Sequence, residues 1–274
     1  MPILRLLHIP GLYRMQGVLR SPLIDVVQFL ILVWGLYWLS AISIDNIGYN
    51  WQWYRIPKML YSVSDHGFTV GPLLKGLLIT LQISSISLVL SLAIGLITAI
   101  FRLSGSPVAA SLARIYLELS RNTPLLIQIF FIYFVLGPVL GLERMASAIL
   151  ALSLFEGAYA SEIFRSGILS VPTEQREAAK SLGLNRYYTY RFIILPQAVR
   201  TMLPPLTSQA VSLVKDSALV STIAIYDLTM QAQALIAETY LTFEIWFTVA
   251  GIYLVITILL SICVSILERR MKLP

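Results

Sequence analysis

Charge is scarce in this chain: only 12% of its 274 residues are Asp, Glu, Lys or Arg. A soluble domain carries about 25%, so an ordinary water-facing surface cannot be built from this composition. Cysteine is scarcer still. The one thiol, Cys263, sits in an apolar run, which excludes an intrachain disulfide and reads as a small buried hydrophobe. The two histidines, His8 and His66, lie far apart in flanking segments, and with a single cysteine they offer no metal-site spacing. There is no G-x-x-x-x-G-K-[ST] phosphate loop, no G-x-S-x-G elbow and no His-Glu-x-x-His pair. These absences argue against an intramembrane enzyme. They also mean that any ATP used must be bound by another chain.

What is present is apolar. Hydrophobic residues make up 57% of the chain and the mean hydropathy is +0.79. Lipid is the default environment for such a composition. Six segments are apolar enough to span a bilayer, which takes about 20 helical residues each. They cover residues 23–42, 73–101, 125–140, 146–166, 197–226 and 243–267. The third could be extended by 107–119, and the fifth is interrupted at Pro204-Pro205. The first is read as a retained anchor, because no small-residue cleavage site follows it.

The net charge of +6 is distributed at the ends of apolar runs. That reads as topology, not as a nucleic-acid surface. Arg5, Arg14, Arg20, Arg102, Arg114, Arg165, Arg176, Lys180, Arg186, Arg191, Arg200, Arg269, Arg270 and Lys272 fall on one side of a six-span arrangement. The opposite side holds Arg55, Lys58 and Arg144 against Asp45, Asp65, Glu143, Asp227 and Glu238. Both termini are therefore expected in the cytoplasm. Tyr49, Trp51, Trp53 and Tyr54 suit the outer interface, where amphipathic rings settle.

Residues 171–196 form a long, charged, helix-like loop. The spacing predicts a short helix over 174–182, with Thr173 as its N-cap and Glu174 and Glu177 near its positive end. Gly183 is placed to end it in a left-handed conformation, with Leu184 packing behind. Asn185 then caps a second helix over 186–194, and Pro196 marks a break before the fifth span. Ala178 and Ala179 are small enough for a partner to approach closely. From the residues alone this is either a docking helix or a solvated amphipathic loop, since capped loops are common.

Glu177-Ala178-Ala179, three residues, Gly183, nine residues, then Ile193-Ile194-Leu195-Pro196 resembles the EAA signature of ATP-binding-cassette (ABC) importer permeases. Residues 73–274 resemble the polar amino acid branch of that family. Supporting stretches are Arg121-Asn122-Thr123-Pro124-Leu125-Leu126, Ala158-Tyr159-Ala160-Ser161-Glu162-Ile163, Leu195-Pro196-Gln197-Ala198, Pro204-Pro205-Leu206, Lys215-Asp216-Ser217 and Leu267-Glu268-Arg269-Arg270.

The resemblance implies an all-α membrane protein with the type I ABC importer transmembrane fold. Six transmembrane helices are expected: a five-helix core in residues 71–274, plus one helix in an N-terminal addition, residues 1–70, outside the translocation path. Glu174, Glu177, Ala178, Ala179, Leu182 and Gly183 are expected to form a cytoplasmic coupling helix on a separate ABC ATPase dimer. ATP and Mg would be bound by that dimer and no cofactor by this chain. Other implied partners are a second permease subunit, a heterodimer being favoured, and an external or periplasmic amino-acid-binding protein. The implied location is the bacterial cytoplasmic (inner) membrane. One departure stands out, since family members usually carry Gly-Gln-x-Glu-Ala-Ala and Glu174 replaces that glycine.

Ionisable residues inside apolar spans are costly and hence functional candidates. Glu156, Glu162, Lys215 and Asp216 qualify. Residues expected on the substrate path are Asn122, Thr123, Tyr159, Glu162, Lys215, Asp216 and Ser217. Glu162 could meet an ammonium, and Lys215 or free amides near the Pro124 break a carboxylate. The plainer alternative is that Glu162 pairs with Arg165, three residues on. An ion-coupled secondary transporter would share the spans and charges, but does not account for the capped helix pair at the EAA spacing.

Overall fold

The structure is a computed structural model that describes residues 22–47, 49–64 and 67–271. Arg5, His8, Arg14, Arg20, Asp65, His66 and Lys272 lie outside the described residues. The chain divides into two units, Met1–Trp51 and Gln52–Pro274. Residues 52–70, which the sequence places with the N-terminal addition, thus belong to the larger unit.

The described part of the first unit is dominated by α1 (Pro22–Ile47), 26 residues long. At 1.5 Å per residue it reaches about 39 Å, beyond the ~30 Å of bilayer hydrocarbon. Phe29, Leu30, Ile31 and Trp34 are exposed along it, and Trp34 stacks on Trp38 at 6.4 Å between ring centroids.

The second unit begins with a tight turn, Trp53–Arg55, then α2 (Ile56–Leu60) and a hairpin of β1 (Tyr61–Ser64) and β2 (Gly67–Val70). The strands are antiparallel, with Tyr61 opposite Val70 and Ser64 opposite Gly67. This hairpin is a small exception to the all-α expectation. Ile56 and Met59 bury among Leu73, Leu228, Leu241 and Ile245. The Gln52 amide donates to buried Glu244 Oε1 at 2.7 Å.

Helix α3 (Pro72–Leu103) organises the rest. It buries Gly76, Thr80, Ser84, Ser87, Ser91, Gly95 and Thr98, three or four residues apart on one face. Facing it along much of its length is α7 (Arg144–Leu169), which buries Ser147, Ala148, Ala151, Ser153, Gly157, Ala158, Ala160 and Ser161. Lipid tails are as apolar as leucine, so large side chains gain little by association there. Small ones let backbones approach and dispersion accumulate. Several hydroxyls are satisfied within their own helix: Ser84, Thr98 and Ser153 donate to carbonyls four residues back at 2.8, 2.8 and 2.6 Å, whereas Ser147 and Ser161 Oγ have no hydrogen-bond partner. A Cβ at Gly95 would stand 2.7 Å from Ala160 Cβ and 3.0 Å from the Gly157 carbonyl.

The third predicted span is two helices, α4 (Pro107–Arg121) and α5 (Leu125–Phe130), the latter prolonged by a π-helical turn, Phe131–Leu136, and α6 (Gly137–Leu140). The pair bends by 108° at Asn122-Thr123-Pro124. Pro124 has no amide to continue the first helix. Gln128 closes the corner, its Nε2 donating to the Ser120 carbonyl at 2.7 Å and to Thr123 Oγ1 at 2.8 Å.

After α7 come α8 (Thr173–Ser181), α9 (Arg186–Thr189), a second π-turn, Tyr190–Ile194, and α10 (Leu195–Asp216). A 3-10 turn, Ser217–Ile223, leads to α11 (Leu228–Thr239), and α12 (Thr242–Met271) completes the unit. The break expected at Pro196 is absent, because the helix runs on from 186. A helical proline clashes with the carbonyl four residues back. For Pro196 that is Phe192 and for Pro138 it is Phe134, and both fall inside π-turns, where the α-type bond is already given up. The interruption expected at Pro204-Pro205 is also absent, since α10 passes through both. Proline's fixed φ is helical, and membrane helices tolerate the lost amides.

Helices α3, α7 and α12 are each long and apolar enough to cross a membrane. Two bent pairs, α4 with α5–α6, and residues 186–223 with α11, pass as broken spans. Five spans in this unit plus α1 are compatible with the expected six. Cys263 is exposed on α12, not buried as its apolar neighbours suggest, because the flanks of this helix face outward.

Candidate functional site

The loop after α7 folds almost as its sequence pattern predicts. Helix α8 runs over Thr173–Ser181. Its N-cap is Pro172, with φ −54° and ψ 142°, and not Thr173, which becomes the first helical residue. The proline's fixed φ and extended ψ supply the non-helical half of the cap, and its carbonyl accepts from Gln175 N at 3.3 Å. Gly183 is left-handed at φ +75°. The Gly183 amide donates to the Lys180 carbonyl at 2.9 Å and the Leu184 amide to the Ala179 carbonyl at 3.0 Å. That pair of bonds is the Schellman closure. Asn185 Oδ1 then accepts from the Tyr188 amide at 3.0 Å, capping α9.

Three contacts fasten α8 to the spans. Ala179 is buried. Arg176 Nη2 donates to the Ile168 carbonyl at the end of α7, at 2.7 Å. Gln197 Nε2, in the first turn of α10, donates to Gln175 Oε1 at 2.5 Å and to the Ile193 carbonyl at 2.8 Å. Beneath them Ile168, Val171, Ile194, Ala198 and Met202 form an apolar cluster. Glu174, Glu177, Ala178, Leu182 and Gly183 stay exposed, Leu182 at 79%. The expected coupling residues therefore split: five face outward, and Ala179 packs the helix down. Glu174 has an ordinary helical backbone in the first turn, so nothing at its position requires glycine. The Gln175–Gln197 tie was not foreseen, although both residues lie in quoted motif stretches.

The intramembrane charges form two clusters. In the first, Glu162 accepts from Arg102 Nη1 at 2.7 Å, Arg121 Nη1 at 2.9 Å and Arg165 Nε at 3.2 Å. Arg121 also lies over the Tyr159 ring, 5.9 Å from its centroid. The Glu162–Arg165 pairing is the plainer alternative read from the sequence. Arg102 and Arg121 were missed because they arrive from other helices. In the second cluster, buried Glu156 accepts from Gln209 Nε2 at 2.6 Å, and the Asp216 carboxyl lies beside it.

The remaining candidates are spread out. Asn122 and Thr123 sit at the 108° bend, with Asn122 Nδ2 donating to Glu118 Oε2 at 2.7 Å and the Thr123 hydroxyl to the Leu119 carbonyl at 2.8 Å. Lys215 is exposed and lines a cavity of about 610 Å³ between α10 and α12, with Val211, Thr257, Ser261 and Ser265. Ser217 is fully buried, donating to the Val214 carbonyl at 2.8 Å, and so serves the 3-10 turn. Thus Tyr159 and Glu162 meet at the arginine cluster, while Asn122, Thr123, Lys215, Asp216 and Ser217 lie apart from it at separate places in the unit.

The two ends of the unit differ in character. Near one end of α3, the Thr80 hydroxyl accepts from Leu228 N at 3.1 Å, and Gly76 abuts the Asp227 backbone. Near the other, Arg102 joins Glu162. The 26 residues from Gly76 to Arg102 separate these ends by about 39 Å. The basic residues 102 and 165 thus gather at one end.

A bundle with up to five candidate membrane spans and a short, outward-facing helix after α7 at its basic end is the architecture of a multi-pass membrane subunit. Residues 91–273 match the family described as binding-protein-dependent transport system inner membrane component, and the chain belongs to that family. It is 40% identical over 204 residues to the glutamine transport system permease protein GlnP of Escherichia coli (strain K12), covering 73% of this chain and 93% of that one. Its fold superposes on a chain from the crystal structure of an amino acid ABC transporter with histidines, with a TM-score of 0.69 and 35% identity over 73% of this chain and 94% of that chain. The inward-facing MetNI methionine ABC transporter matches with a TM-score of 0.64 at 18% identity, over 74% and 97% of the two chains, and shares the fold. The chain is the permease component of an ABC importer, a transport subunit and not an enzyme, and such permeases work with an ATPase and a substrate-binding protein.

Proposed function

We propose that this permease carries a polar amino acid into the cytoplasm by alternating access, driven through α8 by an ABC ATPase dimer that binds ATP and Mg. The observation that carries the reading is mechanical. Helix α8 presents Glu174, Glu177, Ala178 and Leu182 outward while Arg176, Ala179 and the Gln175–Gln197 bond tie it to α7 and α10. A push on α8 therefore moves two spans as a rigid body, the kind of element that a ligand-driven equilibrium can bias. The basic end faces the cytoplasm of a bacterial inner membrane, with both termini on that side. A second permease, a related chain in preference to an identical one, completes the path. The relatives point to glutamine as the first substrate to test, and the Glu156–Gln209–Asp216 cluster and Lys215 offer polar groups for a zwitterion.

Reconstitution with the co-expressed ATPase, partner permease and binding protein is expected to give uptake of radiolabelled glutamine that requires ATP inside the vesicle. Competition with a panel of amino acids ranks the substrates. Uptake that runs on an ion gradient without ATP overturns the reading.

Glu162→Gln is expected to weaken uptake without dispersing the assembly. Three guanidiniums would lose their shared carboxylate. Hydrogen bonds to charged groups contribute about 1.5–3 kcal/mol, reduced here by partial exposure, so thermal unfolding in detergent should fall by a few degrees. Unchanged uptake kinetics would show that the cluster is not on the working path.

A further inference from the structure

Resting on that orientation, we propose that α9 and the π-turn after it form a binding site for anionic phospholipid headgroups, which sets the depth of α8. Tyr187 and Phe192 are each 62% exposed and Tyr188 is 46% exposed. Tyr188 stacks on Phe192 at 5.9 Å, and Tyr187 meets Tyr188 edge-on at 5.6 Å. Aromatic rings of this kind settle at the level of lipid headgroups. Two guanidiniums are interleaved with them. Arg191 lies 5.7 Å from the Phe192 centroid and donates to the Tyr187 hydroxyl at 3.1 Å, and Arg186 lies 6.0 Å from the Tyr190 centroid. All three ion pairs among the described residues go to Glu162, so neither Arg186 nor Arg191 has a carboxylate. Arginine's planar fork matches a phosphate, and basic residues beside a bilayer draw anionic lipid.

The geometry favours lipid over a soluble partner. Below the patch the same face continues through exposed Phe192, Leu195 and Val199 into α10. A soluble ATPase cannot cover a stripe that runs on into a membrane span. The connection to α8 has no slack, because residues 182–185 are all held by the Schellman bonds and the Asn185 cap. A headgroup bound at Arg186 and Arg191 therefore fixes how far α8 stands from the membrane, and the charge of the inner leaflet becomes a control on coupling.

The complete importer, purified with its ATPase and partner permease, is examined by native mass spectrometry after exposure to phosphatidylglycerol or phosphatidylcholine. Wild type is expected to retain phosphatidylglycerol preferentially. R186Q/R191Q should lose that retention on the order of 30-fold, from the attraction of two basic residues to an anionic surface, and R186K/R191K should keep most of it. In vesicles, uptake per ATP by wild type should fall several-fold when phosphatidylglycerol is replaced by phosphatidylcholine, and R186Q/R191Q should be indifferent to the change. Wild-type retention by R186Q/R191Q overturns the proposal. So does an equal loss of coupling in both lipids, which assigns the patch to a protein contact. Retention is read without substrate or ATP, so a failure of the transport reading leaves it interpretable.

Discussion

Gly183→Val is expected to cut ATP-driven uptake about ten-fold or more while the assembly still forms and still hydrolyses ATP, from a left-handed backbone cost of about 1–2 kcal/mol. Gly183 sits at φ +75°, and a Cβ there meets nothing within 4 Å. The effect is therefore conformational and not a clash. A β-branched residue in this region is an outlier, so the chain is driven out of the Schellman closure and the Gly183 and Leu184 amides lose their carbonyls. α8 then no longer moves as one piece with α10. Gly183→Asn is the control, because asparagine enters the left-handed region at less cost. The check is uptake per ATP hydrolysed in proteoliposomes. Wild-type stoichiometry in Gly183→Val would remove Gly183 from the coupling device.

The second large effect is expected from Gly95→Leu, which should abolish recovery of monodisperse protein. At Gly95 the neighbours include backbone: Gly157 O and Ser161 N at 3.0 Å, besides Ala160 Cβ at 2.7 Å. Backbone of a packed helix cannot yield as a flexible side chain does, so α3 and α7 must separate along the stripe. Overpacking costs about 1–3 kcal/mol where the surroundings can adjust, and more where an entire helix pair must open. Gly95→Ala should already lower the unfolding temperature in detergent. Gly251→Leu in α12, where a Cβ meets nothing within 4 Å, should leave it unchanged. Size-exclusion profiles and thermal unfolding of the three variants decide the matter. A well-behaved Gly95→Leu protein would mean that the small-residue stripe is not what holds these helices.

Local features were legible in advance. The caps of the 171–196 loop depend on residues within five positions of each other, and the left-handed Gly183 and the Asn185 cap were expected and found. The N-cap moved by one residue because Pro172 outcompetes a hydroxyl for that backbone role. Proline was over-read twice. At Pro196 the π-turn that accommodates it has no mark of its own in the sequence, and at Pro204-Pro205 a membrane helix simply runs on. The 108° bend was legible only in part. Pro124 after the polar Arg121-Asn122-Thr123 marks a break, but no local pattern carries its angle, which the Gln128 bonds across the corner hold.

Composition and spacing by themselves determined that this is a membrane protein, that it carries no phosphate loop of its own, and that a short capped helix precedes the fifth span. Those properties are additive along the chain or confined to one helical turn, so reading residues in order is enough. Only the tertiary structure decided which groups meet. It brought Arg102 and Arg121 to Glu162, Gln209 to Glu156 and Gln197 to Gln175 across separations of 60, 41, 53 and 22 residues. It also turned Ala179 inward while leaving its neighbours in the motif exposed. Pairings between helices depend on crossing geometry, set here by small residues such as Gly95 and Gly157 that let backbones touch, and no one-dimensional pattern encodes that approach.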